Sequence, residues 1–230
     1  MSTEYVALKQ RTFDEEASEN TEDDIPISQH EVHRRTWTLS APGLSHMAYE
    51  MRYFDGFYDS SPYKGTPNAT LDRNWEKLVR SGYVSIPAEA MESKLHKSLN
   101  YVQLSSEHGG EYLGNFEVYH QLHCLDLIRK YTYEDYYRHP DRLPLEFTDS
   151  NKTLRLHVDH CIDYLRQLIM CTGDVGIHTY FWRKDRDGPF PDFRVERKCR
   201  KWDVVADYAA SARGNISVPK KPDDAFEYSV

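Results

Sequence analysis

The sequence predicts a mainly α fold with short β segments (α+β), its core built on two histidine- and cysteine-bearing helices joined by long, irregular, aromatic loops. Three observations carry this reading. Residues 116–133 and 153–171 are apolar-rich runs without Pro or Gly, long enough for several helical turns. Between and around them, Gly, Pro, Asn and Asp break the chain into shorter helices, short strands and turns. The chain of 230 residues is 39% apolar and 29% charged, enough to bury one domain-sized core.

Residues 1–36 read as a disordered acidic tail, with acids clustered between Asp14 and Asp24 and Pro26 beyond them. The tail closes on His33-Arg34-Arg35 and Trp37, the pattern of a flank preceding a membrane helix. The stretch 38–45 is too short and polar to span a bilayer, and 2–20 lacks the apolar run of a signal peptide. Residues 37–57 form a linker, with the aromatic, turn-rich 46–66 expected to wrap the core as an extended segment. The folded domain is placed at 58–213.

Within that domain, 68–80 predicts a helix capped by Asn68 or Thr70, with Leu71, Trp75 and Leu78 on one face. Residues 83–86 suit a short strand, Pro87 opens another helix, and 101–104 is a second strand. The glycines of 109–114 make a tight loop feeding the first histidine helix. The connection 133–151, with Tyr136, Tyr137, Pro140 and Pro144, is an aromatic loop that either lines a cleft or packs. A strand around 179–182, a turn-rich 184–192, a basic segment with Cys199 and a terminal helix over 202–212 follow. Residues 214–230 are expected to be a flexible tail.

The two long helices repeat one motif, H-x-x-H-C-[LI]-D-x-[LI]-R. The matched pairs are His120/His157, His123/His160, Cys124/Cys161, Asp126/Asp163 and Arg129/Arg166. Positions i, i+3 and i+4 share a helix face, so each helix shows a His-His-Cys stripe. Two such stripes turned to a common interior predict a metal site with His120, His123, His157 and His160 as ligands. From two antiparallel helices they make one four-coordinate site, or half of each of two adjacent sites. Imidazole suits zinc, copper, iron and nickel.

The cysteines leave two readings open. As thiolates they favour zinc or Cu(I); as a Cys124–Cys161 disulfide they clamp the helices and leave the four histidines as donors, with Cys171–Cys199 the second bridge. Sequons at Asn68, Asn151 and Asn215 are candidate glycosylation sites and lean toward the oxidising lumen. Asp126 and Asp163 serve either as ion pairs with the following arginines or as acceptors that orient an imidazole. His108, Asp174 and His178 are further candidates for the surroundings of the site. The net charge of −8 argues against a nucleic-acid partner. Nucleotide-binding glycine loops, G-x-S-x-G and H-E-x-x-H are absent from the sequence, and a Cys-His dyad on one helix suits thiol catalysis poorly.

The doubled H-x-x-H-C motif, His120–Cys124 and His157–Cys161, resembles that of the fungal UstYa-like family, also known as domain of unknown function 3328. The flanks agree: Gly65-Thr-Pro with Asp72 and Trp75, Gly109-Gly110-Glu-Tyr112, Leu165-Arg-Gln167, Met170-Cys171 and Cys199-Arg-Lys-Trp-Asp203. The resemblance covers about 58–208. It implies an oxidative tailoring enzyme of fungal secondary metabolism, acting by cyclisation, hydroxylation, dehydrogenation or halogenation. The four histidines are then both the ligands of copper, in a mono- or dinuclear centre, and the catalytic residues. It further implies dioxygen, a peptide or small-molecule substrate held in a dry cleft, and in some pathways a second UstYa-like protein. A non-catalytic zinc and disulfide scaffold assisting a partner oxidase is the competing expectation. The family resemblance places the domain in the secretory lumen behind an N-terminal membrane helix, a span this sequence lacks.

Overall fold

The computed structural model describes residues 47–54, 61–80, 82–93, 95, 97–106, 109–213, 216, 218–222 and 225. The acidic tail 1–36, most of the linker 37–57 and most of the tail 214–230 lie outside these residues, as do His108 and Asn215. In chain order the elements are β1 (Tyr49–Phe54), α1 (Ala69–Val79), β2 (Val84–Ile86), α2 (Ala88–Ser93), β3 (Tyr112–Gly114) and α3 (Glu117–Tyr131). They continue with α4 (Glu134–Tyr137), 3-10 turns at Pro140–Arg142 and Leu145–Thr148, α5 (Asn151–Thr172), β4 (Tyr180–Phe181), β5 (Phe190–Pro191), β6 (Val195–Arg200) and α6 (Trp202–Ala212). The mainly α class with small antiparallel strand pairs is therefore as expected. Among the described residues, no helix is long and apolar enough to cross a membrane.

The centre of the fold is the pairing of α3 with α5. Cys124 and Leu127 of α3 meet Leu154, Val158 and Cys161 of α5, and Tyr137 and Phe147 close the cluster from the connection between them. The loop 133–151 thus packs, and does so as three short helical turns. Tyr137 and Phe147 are each only 2% exposed. The helix ends are set locally. Ser150 caps α5 by accepting from the Thr153 amide, and Gly173 ends it at φ +48°, a left-handed angle that only a residue without Cβ adopts cheaply.

A charged knot ties α1 and α4 to α3. Arg129 donates Nε to Asp126 (2.8 Å), Nη1 to the Tyr137 hydroxyl (2.8 Å) and Nη2 to Asp72 (3.0 Å). The Tyr137 hydroxyl in turn donates to Asp72 at 2.6 Å. The guanidinium lies over the Trp75 ring at 5.3 Å, and Lys130 supplies Asp126 with a second cation at 2.8 Å. Asp126 can therefore sit buried, at 4% exposure, because each of its oxygens meets a cation. Asn68 caps α1 as read from the sequence, accepting from the Thr70 and Leu71 amides.

The small sheets depart from the sequence reading. Part of the segment read as extended and wrapping, 46–66, is β1, and it pairs antiparallel with the basic segment, which is strand β6, from Tyr49↔Arg200 to Phe54↔Val195. Polar side chains alternate little along β6, so the periodicity was too weak to mark a strand. The loop 109–114 turns on Gly109 and Gly110, both at positive φ, and then becomes β3 against β2. Residues 101–104 join it through a Gln103↔Tyr112 bridge. Helix α6 closes the N-terminal end of α3, with Trp202 edge-on to Tyr119 and Tyr208 edge-on to Phe116.

Removing Arg129 strands Asp72 and part of Asp126 in a poorly solvated pocket. Arg129→Met is expected to cost about 3 kcal/mol, read as a lower urea midpoint at unchanged slope. Arg166→Met, at the matching but exposed position of α5, should leave the midpoint in place. Leu154→Ala, a truncation at a fully enclosed site, is expected to cost roughly 2–5 kcal/mol.

Candidate metal centre

Helices α3 and α5 run antiparallel, and their side chains meet in register: Glu117 with Tyr164, His120 with His160, His123 with His157, Tyr131 with Arg155. The histidines consequently pair across the seam, the first of each motif with the second of the other. The ring centroids are 5.8 Å apart for His120–His160 and 5.7 Å for His123–His157. His157 and His160, on one helix, are 6.4 Å apart. The four imidazoles predicted as ligands are thus brought together as two cross-helix pairs.

Among the described residues, one group of His, Cys, Asp or Glu brings its ligand atoms close enough to share an ion. His120, Cys124 and His160 have ligand atoms all within 4.8 Å of one another. Cys124 Sγ is 3.8 Å from His120 Nε2, so the thiol forms the floor below that pair. His123 and His157 lie beyond this group, next to it along the seam.

The depth of the site differs from the expectation of a common interior and a dry cleft. The thiols point inward, and Cys124 and Cys161 are wholly buried. The imidazoles sit at the rim, with His120 37% and His123 36% exposed and His160 more open still. The reason is angular: His123 lies about 100° around the helix from Cys124, off the line of helix contact. Tyr164 packs at the His120 end, its ring 4.6 Å from His120 and 6.0 Å from His160.

Three residues around the imidazoles were not picked out as site residues from the sequence. Glu117, in the first turn of α3, places Oε2 3.8 Å from His120 Nδ1 and accepts the hydroxyl of Tyr164. Glu146, on the 3-10 turn Leu145–Thr148, places Oε1 3.7 Å from His123 Nδ1. Glu117 and Tyr164 are legible at helical spacing from His120 and His157. Glu146 had no such signal, because its approach depends on how the connection folds back.

Electrostatics follow from burial. Desolvation holds the His123 imidazole below its ordinary range, helped by His157 and His120 and opposed by Glu146. That favours the neutral ring, the form that donates to a metal. Burial pushes both core thiols up; the thiol–thiol hydrogen bond lowers Cys124 and raises Cys161. Burial, then Glu117, pushes the Tyr164 phenol up to about 12.

The remaining candidates fall elsewhere. All four cysteines are free thiols: Cys124 and Cys161 face each other in the core, Cys171 is exposed at the end of α5 and Cys199 is half-buried on β6. Asp126 is held by Arg129 and Lys130. Asp163 is held by Arg166 at 2.7 Å and Gln167 at 2.6 Å. Each carboxylate therefore serves an ion pair on its own helix. Asp174 binds Arg197 and the Gly176 amide, and His178 packs against Tyr180 and Phe193. Both lie on the irregular stretch between α5 and β4. Asn68 caps α1, and Asn151, exposed at the start of α5, accepts from Arg138.

The family model described as mycotoxin biosynthesis protein UstYa matches residues 15–212. Two relatives come from Diaporthe leptostromiformis. The UstYa family oxidase phomYc is 35% identical over 66% of this chain and 59% of the relative. The UstYa family oxidase phomYc' is 33% identical over 66% of this chain and 52% of the relative. The transacylase cctO of Talaromyces islandicus is 26% identical over 76% of this chain and 59% of that protein. The chain spans between half and three fifths of the length of these curated relatives. No solved structure matches.

Raised thiol pKa values leave little thiolate at Cys124 and Cys161 near pH 8, and thiolate is the reacting form. A disulfide-exchange reagent at pH 8 is expected to label Cys171 first and Cys199 more slowly. It should reach Cys124 and Cys161 only after unfolding, as peptide mapping of the labelled sites would show.

Proposed function

The chain belongs to the UstYa family of mycotoxin biosynthesis proteins, and from that membership we propose that it is a copper-dependent oxidase. It would act in fungal secondary metabolism on C–H or phenol groups of a peptide or small-molecule intermediate. The observation that carries the reading is the pairing of all four motif histidines across one seam, His120 with His160 and His123 with His157. The donor set fits copper: imidazoles dominate it. Bound there, copper supplies the one-electron and dioxygen chemistry that side chains lack.

The chain's own residues would do the rest. His120 and His160 would hold copper at the exposed rim, with His123 and His157 next to them along the seam. Tyr164 covers the His120–His160 pair from one side, and Glu146 stands beside the other. The buried thiols keep the helices at a fixed spacing beneath. Dioxygen and the substrate are the partners this reading requires, joined in some pathways by a second protein of this family; the acidic chain is not suited to nucleic acid.

One observation favours a second reading. The tight group takes in Cys124 beside His120 and His160, a donor mix that zinc also accepts. A non-catalytic zinc scaffold assisting a partner oxidase would use it.

Metal analysis and EPR of the purified chain separate the two. Stoichiometric copper with a Cu(II) signal is expected, lost in His120→Ala and His157→Ala while the helical circular dichroism is kept. Changing any one of the four histidines to Ala should abolish substrate oxidation. An EPR-silent chain holding tightly bound zinc would overturn the oxidase reading.

A further inference from the structure

We propose that Glu117 and Glu146 are positioning residues, each setting a carboxylate within ion-pair distance of Nδ1 of an α3 histidine, so that the ring proton is kept at Nδ1 and Nε2 is left free for a metal. The inference rests on the metal reading above and adds to it the tautomer and the orientation of two donors. His120 turns Nδ1 to Glu117 at 3.8 Å and Nε2 to Cys124 at 3.8 Å, on the side of His160. His123 turns Nδ1 to Glu146 at 3.7 Å, with His157 across the seam. The two carboxylates reach the same ring atom from different parts of the chain. One comes from the first turn of α3 itself, the other from the 3-10 turn Leu145–Thr148.

Both carboxylates are braced. Glu146 is followed by Phe147, which is locked in the core between α3 and α5, so its carboxylate is carried to His123 by the packing of its neighbour. Glu117 is largely exposed, and the Tyr164 hydroxyl holds it from across the helix interface. Tyr164 thereby both covers the His120–His160 pair and fixes the carboxylate behind His120.

The consequence is chemical. An imidazole in water favours the Nε2–H tautomer, which has no lone pair at Nε2 for a metal. A carboxylate at Nδ1 selects the opposite tautomer, frees Nε2 and raises its basicity. Loss of such a partner lowers metal affinity by roughly 10–100-fold.

The test has a readout without metal. Two-bond proton–nitrogen correlation of the histidine rings in the metal-free chain at pH 8 reports each tautomer. His120 and His123 are expected as Nδ1–H. Glu117→Gln should shift His120, and Glu146→Gln should shift His123, toward Nε2–H, each leaving the other unchanged. Copper competition titrations of the same variants should show affinity weakened about 10–100-fold at unchanged stoichiometry. Wild-type rings found as Nε2–H, or variants with unaltered tautomers and affinity, would overturn the proposal. Nδ1–H rings in a chain that binds no copper would support the positioning and strike the metal reading alone.

Discussion

The contact between Cys124 and Cys161 fixes the geometry on which the rest depends. Both thiols are wholly buried at the meeting of α3 and α5. A side chain this small lets two helices approach more closely than a bulky one would. At that spacing, imidazoles on the flank of one helix stand 5.7–5.8 Å from those of the other. A bulkier pair at the same place would still fill a core but would carry the histidine rims apart. The cysteine of the motif is thus a spacer, and the histidines before it use the gap it sets.

Because one motif is written twice on antiparallel helices, the seam has a local two-fold character. The symmetry ends where the surroundings differ. Helix α3 is packed by α1, α4, α5 and α6, so its Asp126–Arg129 pair is drawn into a buried knot with Asp72, Tyr137 and Trp75. Helix α5 is covered mainly on one side and leaves Leu156, Ile169 and Met170 exposed. Its Asp163–Arg166 pair stays at the surface. One sequence pattern therefore makes a structural anchor in one copy and a solvated pair in the other.

The connection between the two helices does more than join them. Its 3-10 turn puts Phe147 into the core and Glu146 beside His123 in consecutive residues. Packing and site geometry are coupled through that one turn, since the depth to which Phe147 seats sets where the carboxylate stands. Tyr164 has the same double position on the other pair, with its ring beside His120 and its hydroxyl on Glu117.

The sequence by itself determined helices α1, α2, α3, α5 and α6, the cap at Asn68 and the four histidines. These follow from local rules: helical spacing and a side-chain oxygen at an N-terminus. Its mainly α class and its membership of the UstYa family were legible in the same residues. Tertiary structure alone decided the rest. It paired β1 with β6, whose polar residues carry no strand period, and it set which histidine faces which. It put thiols inward and imidazoles at the rim, where the expectation was a dry interior. It also delivered Glu146, a residue with no spacing relation to any histidine. Such features depend on contacts between segments far apart in the chain, and packing, not periodicity, fixes those.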